Sequence, residues 1–185
     1  MNDLSGGFTD PALQSAIAFR AILQVTARPG RIERLGDHHG PAPISAAAAA
    51  VLLVLADRTT PLHLAGDHDN PDLRQWIAFH CGAPLVAAED AVFALGHWAA
   101  LIPLDRFAIG TPEYPDRAAT LIVDGHDFNA APSELRGPGI KGRANLALPE
   151  AGAFALNHTR FPLGWDAFLC GGERLAALPR STEVL

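Results

Sequence analysis

Four arginines stand beside proline or glycine breakers, where a side chain is held at the end of an element: Arg28, Arg136, Arg160 and Arg180. The guanidinium is a flat fork that meets phosphate or carboxylate through two parallel hydrogen bonds. The alternative for each is solvation, or pairing with one of the 20 acidic residues. The densest such stretch is Leu135-Arg136-Gly137-Pro138-Gly139-Ile140-Lys141-Gly142, which holds the chain's single lysine. Pro138 pre-sets φ for a turn, and Gly139 supplies the positive φ that a type II turn needs next. Two readings stay open. The amides of 139–141 can converge into an anion-holding nest flanked by Arg136 and Lys141. Or the stretch is a tight surface turn after a strand, with two solvated cations.

Other chemistries find less support. Eight histidines invite a metal, but His38-His39 are adjacent and no second ligand pair has usable spacing, so no metal site is expected. His63 and His68 straddle a strand end and a turn. No Gly-x-Ser-x-Gly, Walker or Rossmann glycine pattern is present. Cys81 and Cys170 are isolated and read as small buried residues of a reducing compartment. Asp57, Asp166 and Glu113 are loop-edge carboxylates that serve either as acids and bases or as caps. A Schiff-base cofactor needs a lysine; Lys141, on a turn, suits it poorly, and no cofactor is expected.

These residues must be positioned by a chain of 185 residues, enough for a single domain over 1–185 that buries roughly 70% of its unfolded surface. The formal charge of −6 argues against nucleic acid as a partner. The longest apolar stretch, 46–56, is too short to span a membrane, and no signal peptide is evident at the start. A soluble cytoplasmic protein follows as the expectation.

Asp10-Pro11 opens a helix that runs to about residue 27, with polar residues scattered around its circumference. A helix of that kind touches protein on more than one side. Residues 31–35 alternate as a short strand. Ser45 caps a buried helix over 46–56, and Asn70-Pro71 opens another that ends before Gly82. Strands are expected at 62–65, 85–86, 91–95 and 119–123, a helix over 98–107, and a turn at 124–128 leading to more strand. A helix over 149–159 precedes a hairpin, 167–170 with 174–178. Helices interspersed with apolar strands imply an α/β fold with a mixed sheet and helices on both faces.

Several blocks, taken in order, resemble the H-subunit family of the carbon–phosphorus lyase core complex (PhnH). They are Gly7-Phe8-Thr9-Asp10-Pro11, Phe19-Arg20-Ala21, Ala27-Arg28-Pro29-Gly30, Leu55-Ala56-Asp57 with Thr60-Pro61, and Phe79-His80 with Gly82-Ala83-Pro84-Leu85-Val86. Gly110-Thr111-Pro112-Glu113-Tyr114-Pro115, Leu135-Arg136-Gly137-Pro138-Gly139-Ile140, Phe161-Pro162-Leu163-Gly164-Trp165-Asp166 and Leu178-Pro179-Arg180-Ser181-Thr182 continue the match. The resemblance implies a three-layer fold like the large domain of pyridoxal-phosphate transferases without that cofactor. It also implies a homodimer, and membership of an assembly with G, I and J subunits. That assembly acts on ATP and an alkylphosphonate, displacing adenine to give a ribose 1-phosphonate 5-triphosphate.

On this basis the chain is expected to be an accessory, substrate-shaping subunit in phosphonate metabolism. Its anion-binding group would be Arg28, Arg136, Gly137, Pro138, Gly139 and Arg180. The alternatives are a subunit that supplies a catalytic side chain itself, with His80 or Asp166 as candidates, and a free-standing binding protein for phosphorylated metabolites.

Overall fold

The computed structural model describes residues 5–36 and 39–185. Helix α1 (Pro11–Ala27) starts where Asp10 accepts a hydrogen bond from the Leu13 amide and Pro11 occupies the first helical position. Ser45 caps α2 (Ala46–Leu55) and Asn70 caps α3 (Pro71–His80) in the same manner. Gly82, at φ +67°, then lets the chain leave α3.

The strands are β1 (Glu33–Arg34), β2 (Leu62–Leu64), β3 (Phe93–His97), β4 (Thr120–Asp124), β5 (Pro132–Arg136), β6 (Ala144–Ala147), β7 (Asp166–Gly171), β8 (Arg174–Leu178) and β9 (Glu183–Val184). The larger sheet runs β1-β8-β7-β4-β3-β2. Strands β2, β3, β4 and β7 are parallel, while β8 and β1 add antiparallel to one side, so the sheet is mixed. A smaller antiparallel sheet runs β6-β5-β9.

Side chains alternate between the two faces of the larger sheet, as the pleat requires. Ile122, Phe168, Cys170 and Leu175 face α1, α2 and α3. Leu121, Val123, Leu169 and Ala176 face α4 (Trp98–Leu101), α5 (Ala151–His158) and the small sheet. Phe154 and Trp165 pack edge to face on that second side, with ring centroids 5.0 Å apart. Leu121 and Ile122 are fully buried, each stabilising the fold by about 1.5–3 kcal/mol.

Several expectations shift. The helix expected over 98–107 stops at Leu101, because Ile102 precedes Pro103 and is biased out of the helical region; a single 3₁₀ turn follows at Leu104–Arg106. The strand expected over 91–95 lies at Phe93–His97, after a 3₁₀ turn at Ala88–Asp90. The strand expected at 85–86 is an isolated bridge from Leu85 to Leu62. Strands β6 and β9 lack an apolar alternation long enough to announce them. Asp124 is no turn residue; it ends β4 and is buried. Within the described chain α1 buries only one stripe, Ala18, Ile22 and Val25, and leaves Leu13, Ile17, Phe19 and Leu23 exposed.

Candidate functional site

The Gly137–Ile140 turn closes on itself: the Ile140 amide donates to the Gly137 carbonyl at 3.1 Å. One of the amides expected to form an anion nest is therefore occupied. Gly137 lies against residues 181–182, and Gly139, at φ +79°, lies against the end of α1, where a Cβ would collide with the Ala27 carbonyl oxygen. That carbonyl belongs to the negative end of a 17-residue helix, a poor neighbour for an anion. Arg136 pairs with Glu183 across the β5–β9 register at 2.6 Å. Lys141 is exposed beside it.

Arg180 is held more tightly. Its side chain is only 14% exposed and grips both carboxylate oxygens of Asp166, while Nη1 donates to the Pro115 carbonyl at 2.6 Å. Asp166 also accepts the Arg180 amide at 2.8 Å. The structure thus gives Arg136 and Arg180 a carboxylate each, Glu183 and Asp166. Arg28 follows α1 as an exposed C-cap next to the turn's contact with Ala27.

His80 is elsewhere, at the end of α3 between the rings of Trp76 and Phe79. Asp57 acts as a cap, accepting from the Thr59 amide and hydroxyl. Burial pushes the Cys81 thiol up to about 11, and burial, followed by the Asp124 charge, pushes Cys170 well above the ordinary thiol value. Neither is a ready nucleophile. His38 lies outside the described residues.

The polar groups that do converge sit at the carboxyl ends of the parallel strands, where open α/β sheets place ligands. His97 ends β3 and Asp124 ends β4, opposite each other in register. The Asp124 carboxylate is 1% exposed and accepts three hydrogen bonds of 2.9 Å, from His68 Nε2 and the amides of Ser45 and Gly125. Burial would push this carboxyl up. The donors from His68, Ser45 and Gly125 outweigh it and hold the group below the usual carboxylate range.

His68 is itself fully buried, and its Nδ1 has no hydrogen-bond partner among the described residues. Its ring meets that of His97 edge to face, with centroids 4.8 Å apart. The Asp124 main-chain carbonyl lies 2.9 Å from His97 Nδ1. Gly125 makes this approach feasible: at φ +70°, a Cβ there would stand 2.7 Å from that nitrogen.

His126 follows at once, buried, with Nε2 3.0 Å from the Ala147 carbonyl. Burial is the main force lowering its pKa; the Ala147 carbonyl and Asp127 oppose the shift, and Arg174 adds to it. His97, Trp98, His126 and Asp127 line a cavity of about 280 Å³ here. Among the described residues, no three metal-ligating side chains are placed to share an ion. Sequence reading missed this group because His68, His97 and the 124–126 stretch lie far apart along the chain. The available signal was a polar residue directly ending each of two apolar runs, 93–97 and 120–124.

Comparison with known proteins adds a family match over residues 6–185, to the model described as bacterial phosphonate metabolism protein (PhnH). The chain is 39% identical to the Rhizobium meliloti (strain 1021) protein named alpha-D-ribose 1-methylphosphonate 5-triphosphate synthase subunit PhnH, covering 97% of this chain and 94% of that one. It is 30% identical to a Stutzerimonas stutzeri protein named as a C-P lyase subunit protein, HtxG, covering 90% and 84%.

Proposed function

This chain belongs to the PhnH family of bacterial phosphonate metabolism proteins, and from that premise we propose that it is an accessory subunit of the assembly that joins an alkylphosphonate to the ribose of ATP. The carrying observation is the 39% identity to a subunit of ribose 1-methylphosphonate 5-triphosphate synthase across 97% of the chain. The partners are the G, I and J subunits and a second copy of this chain, in the cytoplasm. No helix of the described residues is long and apolar enough to cross a membrane. The layered arrangement is read as that of the large domain of pyridoxal-phosphate transferases, without that cofactor.

Two features support an accessory role over a catalytic one. Asp166, a candidate acid, is held by Arg180 and serves as a brace. The outer face of α1 exposes Leu13, Ile17, Phe19 and Leu23, each more than half exposed. A row of that kind marks a surface that another protein covers. The expected anion role of Arg28, Arg136, Gly137, Pro138, Gly139 and Arg180 is retained in a narrower form: an anion or partner carboxylate reaches Arg136 or Arg180 by displacing Glu183 or Asp166.

Co-purification tests this reading. Tagged chain expressed with the G, I and J subunits should bring them down together and restore growth on methylphosphonate to a host lacking its own H subunit. Ile17→Glu with Leu23→Glu should abolish dimer or complex formation while the melting temperature stays near normal. Failure to co-purify and failure to restore growth, with the wild-type chain folded, would refute it.

A further inference from the structure

Exposed apolar surface lies on both sides of the larger sheet. On one side is the outer row of α1. On the other, residues of α5 and of the segment 102–105 line a cavity of about 350 Å³. Ile102, Pro103 and Leu104 stand on one flank, Ala153 and Leu156 on the other, and the buried Trp165 also lines it. Leu156 is 59% exposed and Ile102 46%, so the apolar surface continues out of the cavity onto both rims.

The polar side chains of this lining are largely spent on the fold itself. Asn157 Nδ2 donates to the Trp165 carbonyl at 2.8 Å, and its Oδ1 accepts the Trp165 amide at 3.1 Å. Glu150 accepts the Trp98 indole N–H at 3.2 Å. A small molecule is oriented by a few convergent polar groups, and Asn157 offers none here. Free charge stands instead at the ends of α5. Glu150 is its N-cap and Arg160 follows its C-cap, with eight helical residues between, about 12 Å of helix. Both line the cavity and are exposed, and neither is ion-paired among the described residues.

An apolar groove with an acid at one end and a guanidinium at the other matches a helix running antiparallel to α5. Helices favour acidic side chains at their positive N-terminal end and basic ones at the C-terminal end. Laid antiparallel, such a helix brings its acidic first turn to Arg160 and its basic last turn to Glu150. Its apolar side chains, recurring at three- and four-residue spacing, then fill the space between Ile102 and Leu156. A second copy of this chain fits less well. A two-fold dimer pairs like with like, and a concave groove cannot fill itself. The α1 row entering the groove of the next copy would be a head-to-tail contact, which builds rings or filaments instead of a dimer.

We propose that the α5 groove docks an amphipathic helix of a different subunit, antiparallel to α5, with acidic residues in its first turn and basic residues in its last. This rests on the assembly reading and deepens it. The chain then has two contact faces on opposite sides of its sheet, the convex row of α1 and the concave groove beside α5.

The test titrates this chain onto purified G, I and J subunits immobilised together. Leu156→Glu should raise the half-saturating concentration about a hundredfold, the scale of a central apolar anchor. Arg160→Glu should raise it about tenfold, as a reversed charge at the rim. Both variants should keep the wild-type melting temperature and the wild-type mass in light scattering, because both side chains are exposed. In the assembled complex, a photo-crosslinking residue at position 156 should join to a helical segment of G, I or J with the stated order of charges. Wild-type half-saturation by folded Leu156→Glu or Arg160→Glu protein overturns the proposal. So does a crosslink to a second copy of this chain, to a segment that is not helical, or to nothing. A wild-type chain that does not bind the three subunits refutes the assembly reading itself, whereas wild-type and variant chains that bind equally refute only the groove.

Discussion

At the 137–140 turn the guanidiniums face carboxylates: Arg136 meets Glu183, and Arg180 is gripped by Asp166. At the carboxyl ends of β3 and β4 the carboxylate is saturated from behind, and Nδ1 of the buried His68 beside it has no hydrogen-bond partner among the described residues. The first region closes its own electrostatics and joins α1, the small sheet and residues 181–183 into one block. The second holds its polar groups rigid but incompletely partnered, which is the condition under which a ligand gains by binding. Charge density along the sequence therefore marks a brace in one place, while groups scattered along it assemble a site in the other.

That contrast breaks first at Asp124. Asp124→Ala strands three donors in a buried place and should cost about 3–5 kcal/mol in denaturant unfolding. Glu183→Ala, at a largely exposed pair, should cost no more than about 1 kcal/mol. Equal losses would show that the two regions do not differ as described. Next come two glycines of the turn with the same sign of φ. Gly139→Ala must push against the Ala27 carbonyl and should lose about 2–4 kcal/mol. Gly142, at φ +80° with nothing within 4 Å, should lose only about 1 kcal/mol as Ala. A comparable cost at both would mean that docking onto α1 contributes little.

Arg180→Lys removes a fork at a largely buried site and should lower stability by about 1.5–3 kcal/mol. Arg136→Lys, at a side chain 59% exposed, should fall within about 1 kcal/mol. If both variants keep their melting temperature yet fail to support methylphosphonate use, the braces are ligand contacts after all.

The smallest effect is on pH. For Asp124 and His126 alike the folded pKa lies below the unfolded one. Protons therefore bind the unfolded chain more readily, and stability is complete above the unfolded value and lost as pH falls through the folded value. For His126 the loss starts below about 6.5, and for Asp124 below about 3.8. His126→Gln should flatten the decline of melting temperature just below pH 6.5, and an unchanged slope would remove His126 from the account.

Caps and breakers made much of the fold legible. Asp10-Pro11, Ser45 and Asn70-Pro71 open helices α1, α2 and α3, and the hairpin that Gly171-Gly172 signals forms between β7 and β8, with Gly172-Glu173 as its turn. These are local signals, each settled by a hydrogen bond within a few residues. Pro103 was equally visible, yet the apolar run around it suggested one helix instead of a short helix and a separate turn. Arg136 and Arg180 were found as candidates because charge beside Gly and Pro is readable, whereas their partners depend on strand register across the small sheet and along β7. His68, His97 and His126 were beyond such reading, since a tautomer is set by whichever carbonyl the fold places opposite.

The larger sheet has two margins, and neither is a bare strand. At one, β1 is two residues long and both are charged, with Glu33 paired to Arg31 and Arg34 to Glu173. At the other, residues 84–86 run along β2: the Leu62 amide donates to the Pro84 carbonyl and the Val86 amide to the Leu62 carbonyl. Long, flat edges recruit strands from other chains and seed aggregation. A chain in which 49% of residues are hydrophobic is thereby shielded from edge-to-edge growth through this sheet. What the fold leaves open instead is side-chain surface such as the apolar row on α1, where recognition depends on shape rather than on indiscriminate backbone pairing.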